Sequence, residues 1–239
     1  MEAAGKVRTF GLVSGLGVGA GIFYYKALVD AHLAQGLSAR LLIVHADAAH
    51  VMSQVASRNT LALADYLAGL LQQLALGGAE IAAIPAFSPQ VCMRELAAIT
   101  PLPLISLLDA IAAEVERRRY RRVALLGARV TMETQMFGAL ENLDVILPRP
   151  EELDTIAEIY VRVVREAHVT SKDFERLRAI AHSLLERERL DAIILAGTDL
   201  ALVFNPGNTD FAHLDGARVH LEAIMRAIAP ATDHGSAFS

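Results

Sequence analysis

A chain of 239 residues, 54% of them apolar and with a mean hydropathy of +0.37, has room for two small domains and must bury most of its segments. A net charge of −5, no tryptophan and only 5% aromatics exclude a basic, base-stacking nucleic-acid surface. No long apolar run free of charge or turn signals marks a membrane span. The opening "MEAAGKVRTF" lacks an apolar signal core, and the single cysteine, Cys92, has no internal partner, so a cytoplasmic protein acting on small molecules is expected.

In chain order, strands are predicted at Arg8–Ser14, Arg40–His45, Glu80–Pro85, Leu102–Ser106, Arg122–Gly127, Val145–Leu147 and Asp191–Ala196. Their near-continuous hydrophobicity suits parallel strands covered on both faces. Helical periodicity fills Gly21–Gln35, Ser57–Leu76, Pro89–Ala98, Leu107–Arg119 and Lys172–Arg189, and a late helix starts in "DGARVHLEAI". The alternation predicts an α/β fold with its ligand at the carboxyl ends of the strands. "APATDHGSAFS" at the end reads as a disordered tail.

The halves repeat. "LVSG" at 12–15 and "KAL" at 26–28 have counterparts, "ALLG" at 124–127 and "GAL" at 138–140, at one constant offset. Within a residue of the same offset, Pro85-Ala86-Phe87-Ser88 matches Ala196-Gly197-Thr198-Asp199. The reading is two similar Rossmann-like lobes with parallel sheets, related by a pseudo-twofold, and a ligand site in the interlobe cleft. Residues 1–105 with 205–239 are expected to form the first lobe, and 106–204 the second.

Several stretches carry polar groups. "SGLGVGAG" (Ser14–Gly21) contains G-x-G-x-x-A between a strand and a helix. It is open to three readings: a dinucleotide site with Asp47 as the ribose acid, a substrate loop, or a structural turn. No G-x-x-x-x-G-K-[ST] is present. Cys92, among Val91, Met93 and Leu96, reads as a small core residue before a nucleophile. His45, Asp47 and His50 match no defensible metal spacing, and no metal is expected. His220 is either a packing residue or part of a site. In "GARVTMET", Thr131 and Thr134 stand near a helix start, where hydroxyls and free N–H groups either bind carboxylates or cap the helix.

Taken together these words resemble the aspartate/glutamate racemase superfamily, which works without pyridoxal phosphate. "FGLVSGLGVGAGIFYYKAL" is similar to its glycine-rich opening, "AEIAAIPAFS" to its I-P-C-N-T loop, "VALLGARVTMET" to its T-R-x-T-M segment, and "DAIILAGTDL" to its I-L-G-C-T-E-L loop. "LDGARVHLEA" resembles a D-T-T-x-x-H-A element and matches its histidine at His220. The resemblance implies two α/β lobes, no cofactor, a homodimer, no membrane or nucleic-acid partner, and a small carboxylate substrate. It also implies two cysteines facing the α-carbon from opposite sides, one removing and one supplying a proton. Here those positions hold Ala86 and Gly197, and neither residue can transfer a proton.

The carboxylate cradle implied by the resemblance survives in Ser88, Thr131 and Thr198. Ser14, Phe87, Met132 and His168 complete the candidate contacts, with His168 at the family's distal-carboxylate lysine and Phe87 in place of its asparagine. Proton transfer falls to Asp199, His220 or Asp47. The expected function is an enzyme of altered, non-cysteine chemistry of isomerase, decarboxylase, lyase or cyclase type, acting on a small carboxylate or amino-acid-like substrate. The alternative is a non-catalytic carboxylate-binding or regulatory relative.

Overall fold

A computed structural model describes residues 7–229 and gives an α/β fold with two parallel sheets. The expected tail lies outside the described residues apart from Ala229.

In the first sheet β1 (Phe10–Ser14) runs between β2 (Leu41–His45) and β3 (Ile81–Ala83). Phe10, Leu12 and Val13 are all buried, as a strand covered on both faces requires. In the second sheet β4 (Arg122–Gly127) runs between β5 (Asp144–Ile146) and β6 (Ala192–Ala196), and β7 (His213–Asp215) adds to the far side of β6. The orders β2-β1-β3 and β5-β4-β6 are the same arrangement used twice. In each, the third strand delivers its loop into a short 3-10 turn, Ser88–Cys92 or Thr198–Leu202.

The helices are α1 (Val18–Ala34), α2 (Ala48–Ala56), α3 (Thr60–Leu76), α4 (Met93–Ile99), α5 (Leu107–Arg118), α6 (Arg129–Glu133), α7 (Pro150–Glu166), α8 (Ser171–Glu188) and α9 (Gly216–Ile228). Side-chain caps set many of their starts: Asn59 for α3, Ser106 for α5, Thr170 for α8 and Asp215 for α9.

Four expectations change. The strand at Leu102–Ser106 shrinks to a bridge between Leu104 and Ala82, since Pro101 and Pro103 bring no N–H to a ladder. The repeat word at 138–140 is not helical. Gln135, Met136, Phe137 and Gly138 all have positive φ, so the chain leaves α6 in a left-handed turn. The glycine run is itself the first turn of α1, with extended Gly17 as its cap residue. Finally, β7 belongs to the second sheet, so the chain returns to the first lobe after β7 and not at 205. The return is made by α9, whose Ala217, Ile224 and Ile228 join Phe10, Leu12, Tyr24 and Leu28 in one core. Among the described residues no helix is long and apolar enough to cross a membrane.

Candidate functional site

The two strand-end loops are built differently. In the first, Gln90 ties the turn together, its Nε2 donating to Ala86 O at 2.8 Å and to Ile84 O at 3.3 Å. Phe87 does not line the cleft: 2% exposed, it is part of the second lobe's core. A Cβ added at Gly216 would come within 3.0 Å of the Phe87 ring. Burying an aromatic ring across the lobes outweighs leaving it beside a wet pocket.

In the second loop, Gly197 faces a ring. A Cβ there would lie 2.3 Å from Cε2 of Tyr160 on α7 and 2.9 Å from its hydroxyl oxygen. The neighbouring Asp199 is 2% exposed and reaches the first lobe, where its Oδ1 accepts the Ala20 N–H at 3.0 Å. A Cβ on Gly17 would fall 2.3 Å from Asp199 Oδ2, and one on Gly19 would meet Leu202. The anion at the N-terminus of α1 is thus the chain's own Asp199, and the glycines serve that close approach in place of a dinucleotide. Burial raises the Asp199 carboxyl to about 6, against the pull of the Ala20 N–H. Tyr160 is raised well above its usual value by burial, and then by the Asp199 charge.

Thr131 is 0% exposed, and among the described residues its Oγ1 has no hydrogen-bond partner; the Oε1 of Gln90 is likewise buried and unpaired there. Leaving such an atom unmet costs about 1–3 kcal/mol, so each marks a place where a partner belongs. Thr198 is also buried. Of the three hydroxyls of the expected cradle, only Ser88 opens onto a cavity, of about 470 Å³, between Met52 of α2 and Ala128, Arg129, Val130, Val161 and Arg162 of the second lobe. Both arginines there are already matched by carboxylates: Arg129 by Glu133 and Asp154, Arg162 by Asp173 at 2.8 Å. Two larger grooves, about 800 and 520 Å³, run along α5 and are lined by none of these candidates.

The remaining candidates are scattered. His220 is fully buried with both ring nitrogens engaged: Nε2 lies 3.0 Å from Ile105 O and Nδ1 3.1 Å from the Tyr24 hydroxyl. Burial lowers it to about 4, so at neutral pH it is an uncharged ring that donates from Nε2 and accepts at Nδ1, a packing residue. Asp47 is exposed and caps α2 by accepting the His50 N–H at 3.0 Å. His168 is exposed beyond α7, and Met132 is in the second core. Ser14 Oγ lies against the α1 backbone, 2.1 Å from where a Gly21 Cβ would sit. Cys92 is buried with its thiol pushed up to about 12, and among the described residues no cluster of metal-ligating side chains forms.

Sequence reasoning missed Tyr160, Gln90 and the two cavity arginines. Only the coincidence of a glycine at 197 with a buried tyrosine on an amphipathic helix could have pointed to the first.

The sequence profile described as Asp/Glu/Hydantoin racemase matches residues 13–224, and the chain belongs to that family. Its fold is similar to an aspartate racemase homologue from Pyrococcus horikoshii OT3 (TM-score 0.75, 22% identity, 92% of this chain and 99% of that one). A putative Asp/Glu racemase from Yersinia pestis gives 0.79, 21%, and the same two coverages. Picrophilus torridus aspartate racemase gives 0.70 and 15%, over 92% of this chain and 94% of that one. No curated protein sequence matches the chain significantly.

Proposed function

We propose that this chain is an enzyme that binds a small carboxylate in the interlobe cleft and acts on it without the two-thiol mechanism. The observation that carries the reading is the state of positions 86 and 197. One offers a methyl group, and the other is a glycine whose missing side chain is replaced by the Tyr160 ring. Two-sided proton exchange needs a carrier on each face of the α-carbon, and neither position supplies one. The unpaired Thr131 hydroxyl supports a ligand oxygen as its partner, close to the Val130 wall of the cavity. Among the acids and bases expected from the sequence, Asp199 alone is a buried group with a value of about 6 in one of the two loops.

The second reading, a non-catalytic carboxylate binder, draws on the closure of Thr131 and Thr198 from solvent and on Asp199 being engaged by α1. The two separate in D2O. Incubation with both hands of aspartate and glutamate and with 2-substituted malonates, followed by proton NMR, is expected to show product or one-sided deuteration. Racemisation of either hand would sink the proposal, and calorimetric binding with neither exchange nor product would favour the second reading.

A further inference from the structure

The geometry points to Tyr160 as the acid that delivers a proton to the substrate α-carbon from the β6 side of the cleft, in the space that a side chain at residue 197 would enter; this rests on the enzymatic reading above. A Cβ at 197 would meet the Tyr160 ring at 2.3 and 2.7 Å and its hydroxyl oxygen at 2.9 Å, so the phenol stands where a side chain of the second loop would begin. The same helix carries Ala157, Val161 and Arg162 into the wall of the interlobe cavity, so Tyr160 is rooted on the element that frames the ligand space.

Comparison with the other buried phenol makes the hydroxyl a donor. Tyr24, the comparable buried phenol, has its hydroxyl beside Ala217 O and His220 Nδ1 and is committed to packing. Desolvation and the Asp199 charge keep Tyr160 protonated at neutral pH, which suits an acid and not a base.

The step balances without a co-reactant. The bond from the α-carbon of a 2-substituted malonate to one carboxyl carbon breaks as carbon dioxide leaves, and its electron pair stays on the α-carbon, delocalised into the remaining carboxylate. The Tyr160 O–H bond then breaks as a C–H bond forms, and the phenolate takes a proton back from water. An α-carbanion of a carboxylate is a far stronger base than a phenolate, so the transfer runs downhill even from a buried phenol. With only the Ala86 methyl on the opposed loop, delivery is one-sided and the product has one hand.

Tyr160→Phe, which keeps the ring, tests this. In D2O with 2-substituted malonates, the wild-type protein is expected to give product deuterated on one face. The variant is expected to lose at least about 100-fold in turnover, together with the single-handedness of the product, while its melting temperature stays unchanged. Undiminished, single-handed turnover by the variant overturns the assignment and leaves the enzymatic reading standing. A wild-type protein that turns over nothing in the panel takes both down. The juxtaposition has its own test: Gly197→Ala is expected to lower the melting temperature, and Tyr160→Ala to abolish that penalty in the double variant. Additive effects would overturn the assignment without any assay of turnover.

Discussion

The two strand-end loops occupy equivalent places in the repeated sheet order yet spend their residues in opposite ways. The first sends an aromatic side chain out of its own lobe: Phe87 is buried in the second lobe's core, near Ile111 and Gly216. The second withdraws its side chain at Gly197, accepts a ring from α7, and sends a carboxylate, Asp199, back to the first lobe at α1. One crossing is apolar and independent of pH; the other is ionic, desolvated and held near neutrality. A pseudo-symmetric fold has thus placed two unlike fastenings at its symmetric positions.

The apolar fastening gives the largest effect. Phe87→Ala removes a buried ring from between the lobes and is expected to cost about 3–5 kcal/mol in chemical denaturation. Ser88→Ala, one residue on and facing the cavity, should stay within about 0.5 kcal/mol. Equal losses at both positions would break the contrast.

The ionic fastening predicts a smaller effect with a pH signature. Asp199 titrates near 3.8 in an unfolded chain and near 6 in the folded one, so between these values the folded chain holds the proton more tightly. Its contribution to stability is therefore full below about pH 4 and is lost as pH rises through 6, a difference of about 3 kcal/mol. Asp199→Asn keeps an oxygen for the Ala20 N–H and removes the titration. Relative to the parent, the variant should gain about 3 kcal/mol between pH 4 and pH 8. His220 runs the other way, since its folded value near 4 makes its contribution full above about 6.5 and lost as pH falls. In the Asn variant the His220 dependence is no longer offset, and stability should fall more steeply toward pH 4. A variant-minus-parent difference that is constant with pH would dispose of the ionic account.

These features differ in how far the sequence announced them. The central strands β1, β4 and β6 were legible because burial on both faces writes a continuous apolar run into the chain. Pro101 and Pro103 announce the failure of the strand at 102–106, against an apolar content that matches a strand. The left-handed turn at 135–138 was not legible, since only Gly138 among its residues favours positive φ. Of the proposed site, the residues Ala86 and Gly197 were legible in the sequence. The approach of Tyr160 to Gly197 joins α7 to the loop after β6, far apart along the chain, and local pattern carries no trace of it. His220 and Asp199 illustrate the same limit: a lone polar residue reads alike whether it will pack, clamp or react, and only its partners decide.

The smallest effect on stability carries the sharpest information about the ligand. Thr131 holds a hydroxyl with no partner, 0% exposed, at the start of the segment that walls the cavity. If that hydroxyl serves the fold, Thr131→Val should destabilise the chain as the loss of any buried hydrogen bond does, by about 1 kcal/mol. If it waits for a ligand oxygen, the ligand-free chain loses nothing and gains slightly, because an unmet polar atom is replaced by a methyl of similar shape. The cost then appears only on binding, as a weakening of about tenfold toward whichever carboxylate the parent protein holds, read by calorimetry. The second outcome is expected, since among the described residues no group meets Thr131 Oγ1. A stability loss without a binding loss would return Thr131 to the core and leave the proposed carboxylate contact to Ser88, which already faces the cavity.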